Sequence, residues 1–285
     1  MASDVKKSAA PPEDERVKEM SRFSKALIRP ELGAITGAIL VFMFFLAVAR
    51  DTGMFSPEGV MTWSTVSAQF IIIAVGACLL MIAGEFDLSV GSMIGFAGIV
   101  IAITSVSWGW PVWLSILTAF TLAMAIGALN GYLVIKTGLP SFIVTLAFLY
   151  ILRGLTIFGA IATTRKTIIG GVREVAEGDW LAPLFGGTIF TGLFQWFADI
   201  GLLDTFSRGT RIGQPIVDGI PMLIVWALGL LIFGHILLTR TRFGNWIYAS
   251  GGDAQAPRYP GVPVHPVQIL MCDSTPFAAP ALPPR

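Results

Sequence analysis

Long apolar runs alternate with short polar breaks along this chain, and the length of the runs predicts its architecture. A bilayer core is crossed by about 20 predominantly apolar helical residues. Six runs fit, at roughly 33–49, 63–83, 88–106, 110–135, 141–163 and 220–239. Each is predicted to be a helix, because an open strand in lipid would leave its backbone hydrogen bonds unmade. The fold expected is all-α: a polytopic helical membrane bundle with about six transmembrane helices. The stretch LAPLFGGTIFTGLFQWFADIGLL, 181–203, is also apolar, but it is Gly-rich and holds Asp199.

Basic residues orient the bundle. The leader 1–30 carries Lys6, Lys7, Arg16, Lys18, Arg22, Lys25 and Arg29, and six crossings place Lys136, Arg240 and Arg242 on the same side as that leader. Cytoplasmic flanks are enriched in Lys and Arg, so this side is read as cytoplasmic, in a multi-pass protein of the cytoplasmic (inner) membrane. A crossing by 181–203 would push Arg240 and Arg242 outside, so an external or re-entrant helix is expected there, within an outward loop 164–219. The organisation predicted is a cytoplasmic polar leader 1–30, a transmembrane region 31–239, a cytoplasmic loop 240–264 and a Pro-rich tail 265–285. The leader lacks the short apolar core and cleavage site of a secretory signal.

Composition agrees with this picture and removes several classes. Of 285 residues 54% are hydrophobic and 13% charged, against about 25% charged in soluble domains. Net charge is +1 and no continuous basic face is present, which argues against a nucleic-acid binder. Cys78 and Cys272 lie far apart without metal-ligand spacing. No H-E-x-x-H, G-x-S-x-G or G-x-x-x-x-G-K-[ST] occurs, so neither intramembrane hydrolysis nor ATP hydrolysis by this chain is expected. No cofactor and no metal site is predicted. Small residues four apart, Gly33 with Gly37, Gly91 with Gly95 and Gly127 with Gly131, offer flat strips for helix packing.

Against this apolar background the break GEFDLSVGSMIG, 84–95, places Glu85 and Asp87 between two spans. Asp before an apolar helix is a start signal, so Asp87 is expected to cap a helix beginning at Leu88 and to accept amides at Val90 or nearby. Ionisable residues inside a membrane bundle also mark solute pathways. The two roles are compatible, and Glu85, Asp87, Ser89 and Gly91 are candidates for a translocation path. Arg153, deep in the fifth run, is a further candidate that either snorkels or pairs with one of those carboxylates. Asn130 is read as an interhelical hydrogen bond. Trp108, Trp110, Trp113 and Trp180 flank spans as interfacial anchors do.

Three segments carry a family resemblance: GEFDLSVGSMIG, GYLVIKTGLPSFIVTLAFLYILRGLTI and TRTRFGNWIYASGGDAQA. Asp87 to Gly91, Pro140 to Leu146 with Arg153 and Gly154, and Arg242 to Gly244 with Gly251, Gly252, Ala254 and Ala256 resemble, in order, the permease subunits of ribose-type and xylose-type ABC sugar importers. The resemblance implies a transporter subunit rather than an enzyme. It further implies partnership with a second permease copy, a cytoplasmic ATP-binding subunit and an external sugar-binding protein. The segment around 244–262, with Gly251, Gly252, Asp253, Ala256 and Gly261, would be the loop that docks on the ATPase. The chain departs from the pattern at Pro257, Pro260, Pro263 and Pro266, since proline costs a helix about 3 kcal/mol. The tail is also too polar for the further spans of that family, and the expectation drawn from it is a truncated or frame-shifted product; a genuine short variant is the alternative. A proton-coupled carrier, an intramembrane enzyme and a non-transporting scaffold are the competing readings of the whole.

Overall fold

The structure is a computed structural model that describes residues 30–206 and 213–251. The leader, the tail, and Gly252, Asp253, Ala256 and Gly261 lie outside the described residues.

Residues up to Phe55 form a unit of their own. Within it, α1 (Pro30–Val48) starts on a proline, which is pre-set for the first helical turn. It gives way to a 3₁₀ turn, Arg50–Thr52, that Gly53 ends in the left-handed conformation. Side chains from Ile35 to Val48 are exposed around the whole helix, as expected of an element apolar on every face and solvated by lipid. Leu32–Val48 is shorter than the other apolar helices.

In the second unit, α2 (Pro57–Ile82) is launched by Ser56, whose Oγ accepts the Gly59 amide at 3.1 Å. Next come α3 (Val90–Ala102), which widens into a π-helical turn over Ile103–Ser107, and α4 (Val112–Thr137). The π turn coincides with Thr104 and Ser105, whose hydroxyls donate back to the carbonyls of Val100 and Ile101 and loosen the regular ladder. After α4, Gly138 adopts φ +67° and closes the helix, and Pro140 opens α5 (Ser141–Thr164). Residues 165–221 then build a layer of short elements: α6 (Val172–Ala176), α7 (Ala182–Gly186), β1 (Thr188–Ile189), α8 (Thr191–Asp199) and β2 (Ile220–Pro221). The two strands pair antiparallel, Thr188 opposite Pro221. The last described elements are α9 (Met222–Arg240) and α10 (Arg242–Gly251).

Among the described residues five helices are long and apolar enough to cross a membrane: α2, α3 with its π turn, α4, α5 and α9. Residues 181–203 form no such helix, being split among α7, β1 and α8. Gly187 explains the break, because a Cβ there would fall on the Pro183 carbonyl.

The helices pack in two groups. α2 lies along α9 through Ala68, Ile72, Leu223 and Ala227, with α10 beneath. α3 lies between α4 and α5, around Met93, Ala123 and Leu152. The small buried face of α4, Ala119, Ala123, Gly127 and Gly131, lets neighbouring helices come close. A Cβ added at Gly95 would stand 4.0 Å from Thr156 Cγ2 of α5, whereas one at Gly33, Gly37 or Gly91 would meet none of the described residues within 4 Å.

Candidate functional site

The polar break between α2 and α3 is built from a helix stop, a non-helical segment and a helix start. The stop is a Schellman motif: Glu85 N–H donates to Leu80 O at 3.1 Å and Gly84 N–H to Met81 O at 3.0 Å, with Gly84 at φ +85°. A side chain at Gly84 would be strained by that conformation, so glycine is the natural occupant. From Glu85 to Leu88 the chain is non-helical, with a bend at Leu88, and Ser89 already has helical backbone angles (φ −79°, ψ −12°); exposure alternates along these residues. Glu85 and Asp87 are half-buried and Ser89 fully buried, whereas Phe86 and Leu88 are 56% and 46% exposed. The alternation is inside out for a water-soluble turn: the polar set faces the chain and the apolar set faces away.

Asp87 Oδ1 accepts both the Ser89 amide, at 2.7 Å, and the Ser89 hydroxyl, at 2.6 Å. This is an Asx turn, and it corrects the expected helix start. The helix begins at Val90, two residues later than Leu88, with Ser89 rather than Asp87 as the residue before it. Asp87 does hold a backbone amide close to the helix start, but the amide is that of Ser89.

The non-helical segment is gripped from α5. Phe86 N–H donates to Ser141 Oγ at 2.9 Å and Leu88 N–H to Thr145 Oγ1 at 3.1 Å, while the Thr145 hydroxyl donates to Ser141 O at 2.9 Å. Ser141 and Thr145 are one helical turn apart, hence on one face, and the amides they hold are two residues apart in the non-helical segment. Both hydroxyls are buried. Sequence reasoning quoted their segment only for its resemblance; the i, i+4 hydroxyl pair directly after a Pro was the available signal.

Other candidates sit apart. Arg153 is exposed, about 12 Å further along α5 than Thr145 at the usual helical rise, and among the described residues no ion pair joins it to Glu85 or Asp87. Asn130 is 1% exposed, and its Oδ1 is a buried acceptor without a hydrogen-bond partner, in place of the interhelical bond expected. Met93, Ala123 and Leu152 share a cluster; seven residues from Ala123 along α4, and seven back from Leu152 along antiparallel α5, lead to Asn130 and Thr145. Asn130 thus lies at the level of the gripped turn.

On the other side of the turn stands α10. It leaves α9 by a bend at Thr241, whose Oγ1 accepts the Gly244 amide at 3.1 Å, and Gly244 sits where a Cβ would strike the Leu237 and Leu238 carbonyls. Ile247, fully buried, packs on Leu79, Leu80 and Ala83 at the end of α2. Arg242, Asn245, Tyr248 and Ala249 remain exposed along the opposite face.

At the far end of α3, some 27 Å away by helical rise, a cavity of about 620 Å3 opens between Ile101, Val112, Ile116 and the layer carrying Val172, Arg173 and Phe185. Asp179 fastens that layer by accepting the Trp113 amide at 3.2 Å, and Trp226 Nε1 donates to Leu184 O at 2.8 Å.

Membrane-length helices around a polar, glycine-hinged break, with a short amphipathic helix folded against it, define a multi-pass membrane protein of permease type. The chain belongs to the family described as branched-chain amino acid transport system / permease component, which matches residues 59–272, and it is accordingly a transporter subunit rather than an enzyme. It is 31% identical to the xylose transport system permease protein XylH of Escherichia coli (strain K12) over 259 residues, covering 82% of this chain and 66% of that protein. It is 29% identical to XylH of Haemophilus influenzae over 258 residues, 82% and 69% of the two chains. The ribose import permease protein RbsC of Escherichia coli (strain K12) is 31% identical over 201 residues, covering 70% of this chain and 52% of that one. The chain thus spans about two thirds of the xylose relatives' length and about half of the ribose relative's. No solved structure matches.

Proposed function

We propose that this chain is the membrane permease subunit of an ATP-driven importer for a monosaccharide or polyol, in which it forms part of the translocation path and docks on a separate ATPase. The relatives named for xylose and ribose support a small sugar as substrate. The observation that carries the reading is α10. A membrane-length helix ends at Arg240, and the chain immediately folds a ten-residue helix sideways, burying Gly244 and Ile247 and leaving Arg242, Asn245, Tyr248 and Ala249 outward. That exposed stripe is suited to receive a soluble partner, and the ATP-binding subunit is the partner proposed, within the loop 240–264. Glu85, Asp87, Ser89 and Gly91 are the path candidates nearest to it, and the open acceptor of Asn130 joins them.

Lys136, Arg240 and Arg242 share the end of the bundle that holds the Asp87 turn, while Arg165, Lys166 and Arg173 at the other end are accompanied by Glu174, Glu177 and Asp179. The basic excess supports a cytoplasmic location for the α10 end, with the layer 165–221 outside. The N-terminus is then cytoplasmic and the external sugar-binding protein approaches that layer. The bare apolar surfaces, Gly91 and Gly33–Gly37 among them, are left for lipid and for a second permease copy.

Proteoliposomes holding this chain, an ATPase subunit and the external binding protein test the reading with radiolabelled D-xylose and D-ribose. Uptake that vanadate abolishes and a protonophore leaves intact is expected. Uptake with the opposite sensitivities would make the chain a proton-coupled carrier, and sugar accumulation without ATP would overturn the proposal.

A further inference from the structure

We infer that the turn Gly84–Ser89 is the joint through which α10 acts on α3 and α5, with Gly84, Gly251, Ser141 and Thr145 as its positioning residues; this rests on the reading of α10 as the ATPase-docking helix. A helix that receives force at one end of a bundle needs a stiff route into the helices that move. Two routes leave α10. One is its covalent continuation into α9. The other is contact between its last residue and the turn. A Cβ on Gly84 would stand 3.3 Å from Gly251 Cα, and a Cβ on Gly251 would fall on the Ile82 carbonyl oxygen. Backbone therefore meets backbone there, with no flexible side chain between the two segments to absorb a displacement.

The turn passes that displacement on because it is held at both edges. Its α3 edge is stiffened by Asp87, which binds the Ser89 amide and hydroxyl with one oxygen and so ties the turn to the helix start. Its α5 edge is held by the amides of Phe86 and Leu88 on Ser141 and Thr145. These are links between residues more than fifty positions apart, made at the start of α5, where the Thr145 hydroxyl accepts the Leu88 amide while donating to the Ser141 carbonyl. Ile247 against Leu79, Leu80 and Ala83 keeps α10 seated while it moves. If α10 instead acted through α9 alone, loosening the hydroxyl grip would leave coupling unchanged.

The experiment is the ratio of D-xylose imported to ATP hydrolysed in the reconstituted complex, with ATPase recruitment measured by co-purification. The double variant Ser141→Ala with Thr145→Val is expected to recruit the ATPase as before and keep its hydrolysis rate within about twofold. The imported sugar per ATP should fall about tenfold, the equivalent of roughly one hydrogen bond's worth of coupling. Thr145→Ser, which returns the hydroxyl, should restore the ratio to within about twofold, as a lost packing methyl would not. Should the double variant not accumulate in membranes, Ser141→Ala alone is measured, and a drop of about threefold is expected. An unchanged ratio in whichever of these variants accumulates, with the unaltered chain transporting, overturns the joint alone. An unaltered chain that recruits no ATPase overturns the functional reading and the joint with it.

Discussion

The two ends of the helical bundle are built on different principles. At the α10 end the connections are short, and two of them are closed by close contact: Gly84 on Gly251 and Gly244 under the Leu237 and Leu238 carbonyls, with the Phe86 and Leu88 amides held by α5 hydroxyls. At the opposite end one long connection, described over 165–206 and 213–221, has many exposed residues, an open cavity and fastenings such as Asp179 to Trp113; its tight backbone contacts, Gly187 on Pro183 and Gly219 on Ile189, lie within the connection itself. Tight backbone contact leaves no room for a side chain but transmits displacement; a loose layer accepts change and can open. If the α10 end is the mechanical one, substitutions there should cost both stability and coupling, and matched substitutions at the other end should cost little of either.

The sharpest break of that contrast uses glycine. Gly251→Val places a branched side chain against the Ile82 carbonyl and is expected to cost about 3 kcal/mol as overpacking. Gly109→Ala, at φ +69° with open space around it, meets only the conformational penalty of about 1–2 kcal/mol. Chemical unfolding in detergent reads the difference, and equal losses would erase the distinction between the ends. Next in size, Thr145→Val leaves the Leu88 amide without its acceptor in a buried place and should cost about 1–3 kcal/mol, whereas Thr145→Ser should cost under about 1 kcal/mol. Smaller again, Asp87→Ala removes the acceptor for the Ser89 amide and hydroxyl, about 1 kcal/mol, while Asp87→Asn keeps an acceptor at a few tenths. A comparable stability loss in both would assign the effect to charge rather than to the turn. Smallest of all, Asn130→Leu should leave the unfolding midpoint unchanged or raise it, because the side-chain oxygen it removes is already unsatisfied. If that variant also imports sugar normally, the open acceptor has no part in the path.

How much of this was legible beforehand follows from the physics of each feature. Membrane-length helices are written in composition alone, so α2 to α5 and α9 appear close to where the apolar runs place them. The splitting of 181–203 followed less directly: positive charge at Arg240 and Arg242 argued against a crossing, but the break itself depends on Gly187 passing under Pro183, a contact that no hydropathy pattern contains. At the polar break the chemistry was visible and its partner was not. Asp87 before an apolar helix announced a cap, yet the helix start moved to Val90 because the Ser89 amide competed for the same carboxylate. Ser141 and Thr145 lie more than fifty residues away and acquire their role only when α5 folds beside the turn. For Arg153 the sequence left snorkelling and pairing open, and the structure places it exposed about 12 Å further along α5 than Thr145.

The central claim is that the exposed stripe of α10 is where an ATP-hydrolysing partner drives this permease. A photocrosslinking residue at Tyr248, in cells that express the ATPase subunit and the external binding protein, measures this most directly. The account predicts a crosslink to the ATPase subunit whose yield changes when ATP is depleted, and none to the external protein. Crosslinking to the external protein, or labelling of position 248 by a membrane-impermeant reagent from outside, would contradict it.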